Sequence, residues 1–205
     1  MVLEPHDLLE INRRDLISHS PIPDWALLSL EIAPFVVVCR AIAPNGQVSV
    51  GIRGRNRNER FAAFLPKNRV FRQIKPEHLT KSYLWEIKQS PVFSALTNSA
   101  DLFNKYSLSW GPGGSVGFEL ASKVETVTLE SDLDIIIRAP EPLPMDVGVQ
   151  IIHELKKSPV RIDVQVETPA GSFSLSEYVR GSDLVLLKTI YGPRMSKNPW
   201  NDPKK

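Results

Sequence analysis

A chain of 205 residues, 42% of them hydrophobic and 23% charged, is long enough for one large or two small domains and is typical of a globular protein. Its formal charge of +2 gives no reason to expect a nucleic acid polymer as partner, and no segment approaches the ~18 apolar residues of a membrane span. With a single cysteine, Cys39, there is no internal disulfide, and the opening residues lack a signal-peptide pattern, so we expect a cytoplasmic protein without membrane contact.

The first 90 residues predict a small N-terminal α+β domain. Its predicted elements are, in chain order, a helical opening over 8–18, a Pro-rich turn over 21–23, strands over 32–39 and 47–52, weaker strands over 61–65 and 70–71, and a helix or loop over 76–86. The turn Pro44-Asn45-Gly46 between the two longer strands is a strong hairpin signal. Pro91 marks the predicted boundary with the rest of the chain.

Residues 91–205 predict a second domain in which helices alternate with strands. The predicted elements are, in chain order, a helix over 92–106, a glycine-rich turn over 111–115, a short helix over 116–124, a strand over 129–137, a helix over 145–156, a strand over 160–167, a short helix over 175–180 and a strand over 184–188. This order favours a mixed sheet with helices packed on it, and an α+β class for the whole chain.

Carboxylates on two of these strands indicate the chemistry. The side-chain period of a strand is two, so Asp132 and Asp134 share one face while the apolar residues between and after them fill the other. Like charges so close together favour a divalent cation. Asp163 lies on the polar face of the strand predicted over 160–167. If this strand and the strand over 129–137 are neighbours, the three carboxylates converge. Three suffice to hold Mg²⁺ and to take a proton from an attacking hydroxyl.

The glycine-rich turn upstream predicts a phosphate-binding segment. Gly113, Gly114 and Ser115 offer backbone N–H groups at the start of a predicted helix, where the helix dipole favours anions. The turn lacks the Gly-Lys-Ser/Thr ending of a P-loop, and Val116 occupies the third glycine position of a dinucleotide fingerprint. Taken singly, the turn and the aspartates also fit a structural turn and solvated strand ends. Their joint order is what favours metal-assisted transfer of a phosphorylated group.

Basic residues outside this region have two interpretations. Arg53, Arg57 and Arg60 lie within eight positions and form either a solvated basic loop or a site for an anionic substrate, since the planar guanidinium suits phosphate oxygens. Lys188, at the end of the last predicted strand, and Arg138, at the end of the Asp132–Asp134 strand, are further candidates for phosphate contact.

The chain resembles a known family along most of its length. Gly114-Ser115 followed by Asp132-Leu133-Asp134 and then Asp163 is similar to the signature of polymerase-β-like nucleotidyltransferases. Further segments resemble malonate decarboxylase holo-acyl-carrier-protein synthases, the phosphoribosyl-dephospho-CoA transferases. These segments are P-H-D-L-L at 5–9, V-G-I-R-G at 50–54, W-G-P-G-G-S-V-G-F-E-L-A at 110–121, D-V-Q-V-E-T-P at 163–169, G-P-R at 192–194 and N-P-W at 198–200.

The resemblance implies a nucleotidyltransferase-type second domain and a specific reaction. The donor would be 2′-(5″-triphosphoribosyl)-3′-dephospho-CoA, the acceptor a serine of the apo acyl carrier subunit of malonate decarboxylase, and the leaving group pyrophosphate. Asp132 and Asp134 would hold Mg²⁺, Asp163 would complete the metal site and act as base, and Ser115 with its neighbouring amides would hold the leaving phosphates. Two alternatives stay open: another acceptor, such as the citrate lyase carrier protein or a small hydroxyl compound, and a non-catalytic nucleotide-binding module.

Overall fold

The computed structural model describes residues 1–56, 58–81, 83, 85–86 and 88–201. The chain divides into two compact units. The first comprises Met1–Lys75 with Phe118–Thr126, and the second comprises Pro76–Gly117 with Val127–Lys205. Each unit contains a sheet and helical segments, which confirms the α+β class. That the boundary predicted after residue 90 separates two independently folding domains stays a prediction.

The first unit is built on a five-stranded antiparallel sheet. The strands lie in the order β4-β3-β2-β1-β5. They are β1 (Leu8–Glu10), β2 (Phe35–Val38), β3 (Gln47–Arg53), β4 (Arg60–Pro66) and β5 (Arg72–Ile74), and helix α1 (Asp24–Ile32) packs on β3. Alternating apolar residues such as Val48, Val50 and Ile52 enter a shared core with Leu30 of α1. The hairpin around Asn45-Gly46 is confirmed, because Gly46 has the left-handed φ of 76° and β2 pairs with β3.

Three predictions for this unit are wrong, one of them the strand over 70–71, because β5 begins only at Arg72. Residues 8–18 are not a helix: Leu8 to Glu10 form the strand β1, and only Arg13–Asp15 make a 3-10 turn. Pairing with both β2 and β5 buries Leu9 completely, and this tertiary pairing overrides the local helical pattern. The helix α1 was not predicted, and its last residue, Ile32, had been placed in the following strand.

The second unit contains a six-stranded mixed sheet in the order β11-β10-β9-β8-β7-β6. The strands are β6 (Ser109–Pro112), β7 (Leu133–Arg138), β8 (Ile162–Thr168), β9 (Gly171–Ser174), β10 (Val185–Thr189) and β11 (Gly192–Ser196). Only β7 and β8 are parallel, and helix α4 (Met145–Leu155) supplies the crossover that a parallel pair requires. β6, β9 and β11 were not predicted, because each is four or five residues long and contains glycine or proline. Gly111 and Pro112, which the prediction assigned to the glycine-rich turn, belong to β6.

Helices of the second unit begin and pack as their sequences indicate. Helix α2 (Pro91–Lys105) starts with Ser90 as its N-cap, whose side chain accepts a hydrogen bond from the Phe93 amide, and with proline in the first turn. α2 contacts β7 and α4, and α5 (Leu175–Tyr178) contacts β8. The helix α3 (Gly114–Ser122) begins in the second unit, and its residues from Phe118 belong to the first. None of the helices in the described residues has both the length and the apolar character needed to cross a membrane.

Candidate active site

Two aspartates face each other across the parallel strands of the second sheet. Asp134 of β7 lies directly opposite Asp163 of β8 in the strand register. Residues in register on neighbouring strands point to the same face, and strands are about 4.8 Å apart, so the two carboxyl groups leave the sheet side by side. The opposite face of β7 is apolar, with Leu133, Ile135 and Ile137 fully buried. Asp134 and Asp163 therefore lie on neighbouring strands, which was the condition for their carboxylates to converge.

Asp132 lies one residue before β7, at the same end of the sheet. The Leu133 amide donates to the Arg161 carbonyl over 2.9 Å, which fixes the start of the strand beside it. The Asp132 side chain is half-buried and makes interactions within the protein. Its role as a metal ligand stays a prediction.

The glycine-rich turn is packed directly against Asp134. The Gly113 amide donates to the Asp134 carbonyl over 2.8 Å, and the Gly117 amide donates back to the Gly113 carbonyl over 2.7 Å, which begins helix α3. Gly114 has a left-handed φ of 56°, and a Cβ atom at this position would overlap the Asp134 carboxylate. The structure thus places the predicted phosphate-binding turn and one predicted metal ligand in contact.

The fit of this site to Mg²⁺ depends on its oxygen donors. No three His, Cys, Asp or Glu side chains among the described residues lie close enough together to make a metal centre by themselves. The pair Asp134 and Asp163 nevertheless offers carboxylate oxygens, and Mg²⁺ commonly binds through one or two carboxylates together with substrate phosphates and water. The pair beside the glycine turn fits such a shared site. That three carboxylates hold the ion stays a prediction.

One residue of this site was missed at the sequence level. Arg161 forms an ion pair with Asp163, in which Nη2 lies 2.8 Å from Oδ2 and Nε donates to Oδ1 over 3.3 Å. The signal was available, because residues two apart on a strand share a face and Arg161 precedes Asp163 by two. The arginine therefore belongs to the same polar face as the two aspartates.

The side chain of Arg138, a candidate for phosphate contact, instead forms ion pairs with two glutamates. Its Nε donates to Glu77 Oε1 over 2.9 Å, and its Nη1 lies 4.0 Å from Glu167 Oε2. The side chains of Arg138 and Glu167 are only 12% and 6% exposed. Glu77 belongs to a 3-10 turn, Pro76–Leu79, that packs on β6. A Cβ atom on Gly111 of β6 would overlap the Pro76 carbonyl, so the ion pairs and a close backbone approach together fix this turn on the sheet.

Replacing Arg138 with methionine should destabilise the protein by about 3–5 kcal/mol, because the partly buried Glu77 and the buried Glu167 would lose the positive charge that Arg138 supplies. Urea unfolding followed by circular dichroism measures the change. The exposed Arg180 gives a matched control, and Arg180→Met should change the free energy of unfolding by less than about 0.5 kcal/mol. Equal stabilities of the two variants would contradict the account of the Glu77–Arg138–Glu167 cluster.

Lys188 shares a face of the sheet with the aspartates but lies far from them. It pairs with Ser172 of β9, which pairs with Glu167 of β8, and Glu167 is four residues beyond Asp163. At about 3.3 Å per residue this is roughly 13 Å along the strands, besides the distance across two strands. The exposed Lys188 therefore lies well away from the two aspartates, and its phosphate contact stays a prediction.

The predicted basic loop lies at the hairpin of β3 and β4 in the first unit. Arg53 and Arg60 pair across the two strands, and both side chains are exposed. Arg57 lies outside the described residues. Glu59 organises the loop, because its carboxylate accepts hydrogen bonds from the backbone and side-chain amides of Asn56, each over 2.8 Å. Arg53 and Arg60 therefore lie at the two ends of a loop in which Glu59 is hydrogen-bonded to Asn56.

The pKa of Glu59 should lie below its ordinary value of 4.5, because the two Asn56 hydrogen bonds favour the ionised carboxylate, the backbone one most. A lowered folded-state pKa means that the support of Glu59 for the loop is complete above its unfolded-state pKa and is lost as the pH falls through its folded-state pKa. Carboxyl NMR titration should give a midpoint below 4.5. A midpoint at or above that value, or one unchanged by Asn56→Ala, would contradict this role.

Family comparisons agree with the resemblance found in the motifs. Residues 4–76 match the phosphoribosyl-dephospho-CoA transferase MdcG N-terminal domain, and residues 80–199 match the MdcG C-terminal domain. Together the two matches span almost the whole chain.

Individual relatives are similar over almost their full length. A phosphoribosyl-dephospho-CoA transferase of Pseudomonas syringae pv. tomato is 37% identical over 200 residues, which cover 98% of this chain and 94% of the relative. A protein of the same name from Pseudomonas putida is 39% identical over 96% of this chain and 94% of its own, and one from Azotobacter vinelandii is 35% identical over 97% and 95%. No solved structure matches the chain.

Proposed function

The chain belongs to the phosphoribosyl-dephospho-CoA transferase family, and on this premise we propose that it modifies the apo acyl carrier subunit of malonate decarboxylase. The donor is 2′-(5″-triphosphoribosyl)-3′-dephospho-CoA, the acceptor is a serine hydroxyl of the carrier, and pyrophosphate is released. The reaction takes place in the cytoplasm.

The contact between Asp134 and the Gly113–Gly114 turn carries this proposal. Phosphoryl and nucleotidyl transfer need little covalent chemistry from a protein and depend on positioned charge. Here an anion-binding turn touches one carboxylate, and a second carboxylate, Asp163, stands opposite the first on the neighbouring strand. A polyphosphate resting on the turn would bring its phosphorus atoms next to both.

The transfer is an in-line displacement at the α-phosphorus of the donor. The serine oxygen forms the new P–O bond, while the bond from that phosphorus to the oxygen bridging to the β-phosphate breaks. Pyrophosphate leaves with that bridging oxygen, and the serine proton passes to the Asp163 carboxylate. The amides around Gly114 and Ser115 hold the departing β- and γ-phosphates at the start of α3.

Mg²⁺ is the expected cofactor of this site. Asp132, Asp134 and Asp163 would hold it, and when bound it neutralises phosphate charge and orients the donor. Asp134 and Asp163 are the better supported ligands, because their register places them side by side. The role of these residues is then to position charge around the reacting phosphorus.

Cations beyond the metal would bind the rest of this long anionic donor. Arg53, Arg57 and Arg60 of the β3–β4 loop and Lys188 of β10 are the proposed phosphate contacts. The exposure of Arg53, Arg60 and Lys188 supports this assignment, and the planar donor fork of arginine matches phosphate oxygens.

Intact mass spectrometry tests the reaction and the acceptor together. The full chain is incubated with Mg²⁺, the triphosphoribosyl donor and the apo carrier subunit of malonate decarboxylase, or with the citrate lyase carrier protein instead. We expect the malonate decarboxylase carrier to gain the mass of the prosthetic group, and a variant with its acceptor serine changed to alanine to gain none. If only the citrate lyase carrier gains mass, the acceptor is that carrier and not the malonate decarboxylase subunit. Donor binding without any transfer would favour a non-catalytic module.

A further inference from the structure

The candidate metal ligand Asp163 already has a cation beside it. The Arg161 guanidinium meets both carboxylate oxygens, with Nη2 2.8 Å from Oδ2 and Nε 3.3 Å from Oδ1. This forked arrangement is the geometry in which arginine binds a carboxylate most strongly. The Arg161 guanidinium therefore balances the charge of the Asp163 carboxylate in this structure.

The ion pair between Arg161 and Asp163 is exposed to solvent. The side chain of Arg161 is 72% exposed and that of Asp163 is 42% exposed, so water can replace the ion pair at little energetic cost. The guanidinium fork fits phosphate oxygens as well as carboxylate oxygens. A triphosphate bound on the Gly113–Gly114 turn, beside Asp134, would offer Arg161 such a second partner on the same face of the sheet.

We propose that Arg161 is the resident counter-ion of Asp163, and that it exchanges this carboxylate for the donor's triphosphate when metal and donor bind. This inference rests on the proposed function, because it takes Asp163 as a metal ligand. In the absence of donor, Arg161 repels a divalent cation from Asp163. Once the donor is bound, the arginine turns to the triphosphate and the carboxylate becomes available to the metal.

The exchange couples metal binding to donor binding. A divalent ion alone meets the guanidinium charge and binds weakly. When a triphosphate is bound as well, Arg161 contacts the phosphates instead of Asp163, so the metal ion binds to this carboxylate more tightly. By linkage, each ligand must then raise the affinity of the other. Such coupling would keep the metal site from filling with metal before the donor is present.

Manganese binding to the protein without donor tests the counter-ion role directly. Free Mn²⁺ is measured by electron paramagnetic resonance with the wild-type chain, Arg161→Gln and the exposed control Arg180→Gln. Removing an exposed ion pair of this kind should tighten Mn²⁺ binding about two- to fivefold in Arg161→Gln, and Arg180→Gln should match the wild type. Arg161→Lys keeps the charge and should bind Mn²⁺ as weakly as the wild type.

Steady-state kinetics test the exchange onto phosphate. Losing a charged hydrogen bond to the triphosphate should raise the donor KM of Arg161→Gln about tenfold or more, with a smaller change in kcat, and Arg161→Lys should recover part of the loss. Equal Mn²⁺ affinity in the wild type and Arg161→Gln, or no Mn²⁺ binding in either, would overturn the inference, as would an unchanged KM. Failure of the proposed function would show separately, as a wild-type protein that never modifies the carrier, whatever its Mn²⁺ affinity.

Discussion

Replacing Asp134 with asparagine should reduce transfer to the carrier by at least about 10³-fold, because it removes a charge that metal and phosphate require at the reacting centre. Asparagine preserves the volume of the side chain, and Asp134 is only half-buried, so the fold should be retained. The variant tests the carboxylate rather than the packing of the turn. The rate of mass gain of the carrier, with the thermal midpoint as a check of folding, measures this result.

The control for this prediction is an aspartate of the same unit away from the site. Asp183 is exposed and precedes β10, so Asp183→Asn should transfer at the wild-type rate. Asp163→Asn should lose activity as Asp134→Asn does, because the two face each other in register. An Asp134→Asn protein that keeps its activity within tenfold of the wild type would contradict the carboxylate assignment.

Replacing Gly114 with alanine should reduce kcat by about 10²-fold, because a displacement of ~1 Å at a reacting group has an effect of this size. The added Cβ would overlap the Asp134 carboxylate, which must then move. The left-handed backbone at φ 56° adds about 1 kcal/mol of strain for any residue with a side chain. Single-turnover measurements with saturating donor separate this effect on chemistry from an effect on binding.

Gly181 supplies a matched control for the backbone strain alone. It also has a left-handed φ, of 73°, but a Cβ atom there would meet no other atom within 4 Å. Gly181→Ala should therefore lose only the roughly 1 kcal/mol of stability that comes from backbone strain, and should keep its kcat. Equal loss of activity in both variants would show that strain, rather than displacement of Asp134, explains the effect.

The parts of the fold that were predictable have strong local signals. The helix predicted over 92–106 is α2, Pro91–Lys105, and its apolar spacing and proline start are features of the sequence alone. The two strands that carry Asp134 and Asp163 were predicted from their apolar alternation. That these strands are neighbours was only a condition in the sequence argument, and their parallel direction was not predicted, because pairing between distant strands is decided by tertiary packing.

The parts that escaped prediction depend on contacts between distant segments. The local sequence of β1 predicts a helix, but these residues form a strand because they pair with β2 on one side and β5 on the other. Glu77 and Arg138 are 61 positions apart, and nothing in the sequence near either one indicates that they meet. The overlap that forbids a Cβ on Gly114 is likewise a property of the folded turn, although the glycine itself was predicted to matter.

The measurement that tests the central claim most directly follows pyrophosphate and carrier mass in one reaction of the wild-type protein. With Mg²⁺ and the triphosphoribosyl donor, each carrier modified should be matched by one pyrophosphate released. Both should stop when EDTA is added and resume when Mg²⁺ is restored. A carrier that gains the prosthetic group without release of pyrophosphate, or at the same rate in EDTA, would contradict metal-assisted displacement at the Asp134–Asp163 site.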